Sequence, residues 1–161
     1  MQPSPQLRLA DSLSGIWASL HASADIRISE TEVHYLRTLA LALDDDIVSC
    51  LLLRKLRLAT VLPGGALGGE VAMMNSFVEF TNDGGPVQLC RLVHPSPQQP
   101  IYGLSVTTLL GAGLIGLRAG QAILWPNEKG SFCELRVVRV ENRPAGAGRK
   151  IALGGGLKFG R

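Results

Sequence analysis

The apolar residues of this chain follow two successive periods, the first helical and the second alternating. Ser29-Glu30-Thr31-Glu32 reads as a capping box, with the Ser29 hydroxyl accepting from the Glu32 amide and the Glu32 carboxylate reaching back. Val33, Leu36, Leu39, Ala40 and Leu43 then recur at helical spacing and predict a helix from about Glu30 to Leu43. Asp44-Asp45-Asp46 interrupts it, and one of these aspartates can cap a second helix starting near Asp46 or Ile47. Ile47, Cys50, Leu51, Arg54 and Leu58 lie along one stripe of that helix, Leu52, Leu53 and Leu56 broaden it, and Pro63-Gly64 ends it. Arg54, Lys55 and Arg57 fall in its later turns, where positive charge suits the helix dipole. So short a connection makes the two helices an antiparallel hairpin with arms of about 14–17 residues, or roughly 21–26 Å.

Upstream of Ser29 the pattern is weak. Residues 1–6 contain Pro3 and Pro5 and read as loose chain. Residues 7–20 hold scattered apolar positions with Gly15 among them, and the strongest expectation there is a weak helix around Ile16 to Leu20.

Pro63 to Gly69 is the clearest linker, and beyond it the period changes to two. Phe77 to Thr81 alternates, Asn82-Asp83-Gly84-Gly85 is a hairpin turn with an Asp-Gly pair for positive φ, and Val87 to Val93 is the return strand. His94 to Pro100 is a proline-rich loop. Short strands are expected at Leu104 to Val106, Gln121 to Trp125 and Phe132 to Val140, and a short buried helix over Leu109 to Leu117. The fold class is therefore α+β: a helical hairpin, read as a short coiled coil, then an antiparallel sheet carrying one short helix. The expected division is an N-terminal extension (1–28), the hairpin (29–63), a Gly-rich linker (64–70), a sheet domain (71–144) and a basic Gly-rich tail (145–161) holding Arg149, Lys150, Lys158 and Arg161.

Composition narrows the function classes. The 161 residues are 46% hydrophobic and 18% charged, which excludes a wholly disordered chain. A net charge of +3 is too small to argue nucleic-acid binding by itself. No apolar run reaches the roughly 18 residues of a membrane span, and no secretory signal pattern opens the chain, so the expectation is a cytoplasmic protein without membrane contact. Cys50, Cys90 and Cys133 are far apart with apolar neighbours and read as reduced, packed thiols.

Candidate chemistry is sparse. Asp44, Asp45 and Asp46 at the hairpin tip either face a magnesium ion, which takes hard oxygen ligands, or serve as a helix cap in a solvated turn. His21, His34 and His94 are isolated in sequence and show no metal spacing. Gly111, Gly113 and Gly116 have the spacing of a phosphate loop but lack its strand-loop-helix context, so close helix–sheet packing is the better reading. No Gly-x-Ser-x-Gly elbow is present. No cofactor, no metal site and no catalytic residue is expected. The leucines of the second helix cover too much of its circumference for one partner helix, so residues 7–20 or a second copy of the chain should pack there.

Several segments together resemble a known family. Val71 to Ser76 followed by Phe77-Val78-Glu79-Phe80, then Leu92-Val93-His94-Pro95, Leu104-Ser105-Val106, Gly111 to Gly120, Ile123-Leu124-Trp125 and Leu135-Arg136-Val137-Val138, resemble in order the C-terminal domain of the Rnk family, the regulators of nucleoside diphosphate kinase. That domain is shared with the Gre transcript-cleavage factors, and the resemblance implies an FKBP-like fold over about residues 70–144. The sequence departs from the family at Leu109, where relatives usually carry Pro, and at Gln121, where an Asp is common. The resemblance implies a non-enzymatic transcription regulator that binds RNA polymerase near its secondary channel and competes with Gre-type factors, touching DNA only indirectly and without sequence-specific contacts. Ser105, Leu109, Leu110 and Gly111 are the expected polymerase-docking residues. The family name points to an effect on nucleoside diphosphate kinase levels. The alternative is a self-associating module that pairs through its Leu-rich second helix. A prolyl isomerase is a weaker third reading, because fold alone does not carry activity and the chain is only 5% aromatic.

Overall fold

A computed structural model describes residues 2–142. The tail expected at 145–161 lies outside the described residues.

The first element corrects the sequence reading. The helix expected only weakly around Ile16 to Leu20 is a full helix, α1, running Pro5–Leu20 and taking in the last two residues of the segment expected to be loose. Ser4 Oγ accepts the Leu7 amide at 3.1 Å, and Pro5 enters the first turn with its φ already suitable. Ala10, Ser14 and Trp17 form a buried stripe at i, i+4 and i+7. Two of the three are small, which is why a search for large apolar residues passes over them.

A short strand, β1 (Arg27–Ser29), leads into α2 (Glu30–Ala42), and after a brief turn comes α3 (Asp46–Leu58). The expected capping box is not formed. Ser29 Oγ accepts the Thr31 amide at 3.1 Å, and the Glu32 carboxylate instead accepts the Met74 amide at 3.2 and 3.3 Å. Ser29 is fixed in β1 and buried, so Glu32 turns toward the segment ahead of the sheet. Burial pushes the Glu32 carboxyl above its ordinary range, and the Met74 bond opposes that shift.

The second helix stops at Leu58, short of Pro63. Thr60–Leu62 forms β2, which pairs in parallel with β1, Arg27 opposite Thr60. A β-branched Thr-Val pair favours this extended pairing over another helical turn. Each hairpin arm is thus 13 residues, about 20 Å long, rather than 14–17.

The remainder is a five-stranded sheet in the order β5-β4-β3-β7-β6, from β3 (Phe77–Asn82), β4 (Gln88–Val93), β5 (Gly103–Ser105), β6 (Ala122–Pro126) and β7 (Phe132–Glu141). All pairings are antiparallel except β4 with β5. Asp83 and Gly84 both take positive φ, 56° and 75°, as a tight β3–β4 hairpin requires. The helix α4 (Leu109–Leu114) packs on the sheet. Its glycines are packing residues, as expected: a Cβ on Gly111 would overlap the Ser105 carbonyl, and one on Gly113 would lie 2.7 Å from Trp125 Nε1.

The helical and sheet parts share one apolar core, which runs from Trp17 through Leu36, Leu51 and Leu52 to Phe80, Leu114 and Leu135. No helix among the described residues is long and apolar enough to cross a membrane. The three cysteines are free thiols. Burial pushes Cys90 up to about 12 and raises Cys50 as well.

Candidate docking surface

The N-terminal end of α4 and the β6–β7 hairpin enclose an open cleft of about 380 Å³. Leu109, Leu110, Trp125, Pro126 and Leu135 supply its apolar lining, and Asn127, Glu128 and Lys129 stand among its polar residues. Leu109 and Leu110 are half-buried, packed against the core on one side and open to the cleft on the other.

Local hydrogen bonds fix this end of α4. Thr108 Oγ1 accepts the Gly111 amide at 3.0 Å and donates to the Ser105 carbonyl at 2.6 Å. Trp125 Nε1 donates to the Leu109 carbonyl at 2.7 Å, tying the helix start to β6. Of the four expected docking residues, Leu109 and Leu110 line the cleft. Ser105 and the buried Gly111 pack back to back behind them.

The other end of α4 is held by a residue that the sequence reading gave only a helix-dipole role. Lys55 is fully buried, and its Nζ donates to the carbonyls of Ala112 at 2.9 Å and Gly113 at 2.6 Å. These lie in the last turn of α4, where helix carbonyls lack partners in their own helix. Burial holds the Lys55 ammonium well below its ordinary range. Its Nζ also sits 5.3 Å from the Trp125 ring centre, so one cation supports both α4 and the cleft wall.

α1 completes the support. Trp17 meets Trp125 edge to face at 5.3 Å and stacks on His21 at 4.7 Å. Gln121 accepts the Arg118 amide through Oε1 and donates through Nε2 to the Asp25 carbonyl. A carboxylate could not make that second bond. Trp17, His21, Lys55 and Gln121 were not singled out from sequence as parts of a site. The available signal was the 10-14-17-21 spacing, which puts Trp17 and His21 on the buried side of one helix.

The tip acids lie elsewhere. Asp45 caps α3, its Oδ1 accepting the amides of Ile47 at 3.0 Å and Val48 at 3.2 Å. Asp44 is exposed, and all three aspartates border a recess formed with Gln6 and Leu9 of α1. No residue lines both this recess and the α4 cleft. His94 Nδ1 meets the Tyr35 hydroxyl at 2.9 Å, and His21 is turned into the α1–β6 contact. Among the described residues, no group of three or more His, Cys, Asp or Glu side chains is placed to hold a metal ion.

An N-terminal helical layer followed by a mostly antiparallel sheet is the architecture of a Gre-like α+β protein. The comparisons agree. The chain is 38% identical over 81 residues to the regulator of nucleoside diphosphate kinase from Escherichia coli and equally to that from Shigella flexneri. The match takes in 49% of this chain and 60% of each relative's length. The structure is also similar to the transcription elongation factor GreA/GreB from Nitrosomonas europaea, with a TM-score of 0.59 and 26% identity over 74% of this chain and all of that one. No protein-family model matches the chain.

Proposed function

We propose that this protein is a transcription regulator that binds RNA polymerase near its secondary channel, competes there with Gre-type factors, and has no catalytic centre of its own. The observation that carries the reading is the α4 cleft. Leu109 and Leu110 open onto it, the helix that carries them is fixed at one end by Trp125 and at the other by Lys55, and the chain resembles regulators in sequence and an elongation factor in fold. A preorganised apolar seat with a polar border suits the docking of another protein's side chains. In this reading the sheet domain is the docking unit and the 20 Å hairpin acts by occupying space at the channel. Asp45 is engaged as a helix cap, which favours a tip that works by exclusion over one that holds a magnesium ion. Contact with DNA is indirect, through the polymerase.

α1 packs along α3 and Leu51 and Leu52 are fully buried, so this stretch of the second helix is covered within the chain, which favours the polymerase reading over pairing through that helix.

The test is a pull-down with purified core RNA polymerase, using the wild type, a Leu109→Asp/Leu110→Asp variant and an Asp44→Ala/Asp45→Ala/Asp46→Ala variant, each checked by circular dichroism. The wild type and the aspartate variant should bind and the leucine variant should not. Retention of the folded leucine variant at wild-type level would remove the cleft from the account.

A further inference from the structure

α1 hides one apolar face and leaves another open. Ala10, Ser14 and Trp17 are buried, while Leu9, Leu13, Ile16 and Leu20 recur at intervals of four, three and four and so share a second face of the helix. Leu9, Ile16 and Leu20 are 61%, 53% and 56% exposed, and Leu13 is half-buried. The spacing is that of a coiled-coil seam, about 16 Å from end to end. A contiguous apolar strip of this kind on a folded protein marks a contact surface.

The charge around the strip is one-sided. At its N-terminal end, Gln6 and Leu9 form a recess of about 260 Å³ with Asp44, Asp45, Asp46 and Ile47. The three aspartates have no ion-pair partner among the described residues. Asp45 Oδ1 accepts the Ile47 and Val48 amides, which leaves its negative charge in place. Arg8 lies about 100° round the helix from Leu9. Asp11 is already paired, with Arg54 at 3.3 Å. At the other end of the strip, the last turn of α1 has no basic residue to offset the negative pole of the helix dipole.

We propose that the strip is the docking site for an amphipathic helix of another protein, with apolar residues at heptad spacing and Lys or Arg in its last turn. The partner helix lies antiparallel to α1. Its basic end meets Asp44, Asp45 and Asp46, its N-terminal pole meets the C-terminal end of α1, and its apolar positions seat among Leu9, Leu13, Ile16 and Leu20. A second copy of α1 fits this surface poorly. Parallel copies set one acidic recess against the other, and antiparallel copies set the recess against the uncompensated negative pole of α1. Two helices of this length bury on the order of 900 Å² in all, so the complex is weak and salt-sensitive, with a dissociation constant of tens of micromolar. None of the strip residues lines the α4 cleft, and the proposal does not rest on polymerase docking.

Fluorescence anisotropy of the full chain with three labelled helical peptides of about 18 residues tests the proposal. Each peptide has Leu at the heptad a and d positions in an Ala/Gln background. The first carries three Lys in its last turn, the second three Glu there, and the third three Lys in its first turn. At low salt the wild type should bind the first with a dissociation constant of tens of micromolar, and the other two at least tenfold more weakly. Ile16→Glu and Leu20→Glu should each weaken the first peptide at least tenfold, and an Asp44→Lys/Asp46→Lys variant should prefer the Glu peptide. Leu41→Glu, on the exposed side of α2, should change nothing. All of these side chains are at least partly exposed, so the substitutions leave the fold intact, which circular dichroism checks. Equal affinity for the first and second peptides, no binding by the wild type at about 0.5 mM, or binding that survives Ile16→Glu overturns the proposal. So does a wild type that dimerises in sedimentation equilibrium through a contact that Ile16→Glu abolishes, which would give the strip to a second copy.

Discussion

His21 Nε2 accepts the backbone amide of Leu124 at 3.0 Å, while its Nδ1 donates to the Trp17 carbonyl at 2.8 Å. This pair of bonds requires the neutral imidazole with its proton on Nδ1. Trp17 Nε1 donates to the Leu124 carbonyl at 2.8 Å, so both backbone groups of Leu124 are satisfied by side chains of the α1 segment. β6 is an edge strand, and these two side chains stand in for a neighbouring strand at that point.

A pH dependence follows from this geometry. Burial lowers the His21 pKa below its ordinary 6.5 and the nearby Lys55 cation lowers it further, while the bond to the Trp17 carbonyl opposes them. The unfolded chain therefore binds the proton more readily than the folded one. Stability should be full above about pH 6.5 and fall as the pH drops through the folded value. Urea titrations at several pH values between 5 and 7.5 should show this slope, and His21→Ala should flatten it while costing about 1–3 kcal/mol at neutral pH. An unchanged slope in the variant would assign the effect to other groups.

Lys55 should behave in the opposite pH range. Its folded pKa lies well below the ordinary 10.5 because of burial, so at alkaline pH the unfolded chain keeps a proton that the folded chain has released. Stability should gain an increment as the pH rises from the folded value toward 10.5, and that increment should be missing in Lys55→Met. At neutral pH the substitution should cost about 1–3 kcal/mol, because it leaves the Ala112 and Gly113 carbonyls buried without a donor. Denaturant titrations of both proteins at pH 7 and pH 10 separate the two effects.

The glycines of α4 give a steric prediction. Gly113→Ala forces a methyl group against Trp125 and Leu135 and should cost about 1–3 kcal/mol. It should also shift the tryptophan fluorescence, since Trp125 lies at the contact. Gly65→Ala meets nothing within 4 Å and should change the melting midpoint little.

The sheet was legible from sequence because alternation and the Asn-Asp-Gly-Gly turn are local signals, and its strands lie within a few residues of the expected positions. The cleft was legible in part: Leu109 and Leu110 line it, and the glycines beside them are packing residues. What holds the cleft was not legible. Lys55 looks like one more cation in the last turns of a helix, and only the approach of α4, 57 and 58 residues away, turns it into a buried donor. α1 was missed because its buried stripe begins with Ala10 and Ser14 and gains its stability from contact with α3, a tertiary effect that a local reading does not contain. The β2 segment was absorbed into the helix before it because its pairing partner, β1, lies 33 residues upstream.

The central claim is polymerase binding at a site shared with Gre-type factors. Its most direct test is a titration of fluorescently labelled protein with core RNA polymerase, repeated with a saturating Gre factor. The account predicts micromolar binding that the Gre factor displaces and that the Leu109→Asp/Leu110→Asp variant lacks. Failure to bind at tens of micromolar polymerase, or binding that a saturating Gre factor leaves untouched, would contradict it.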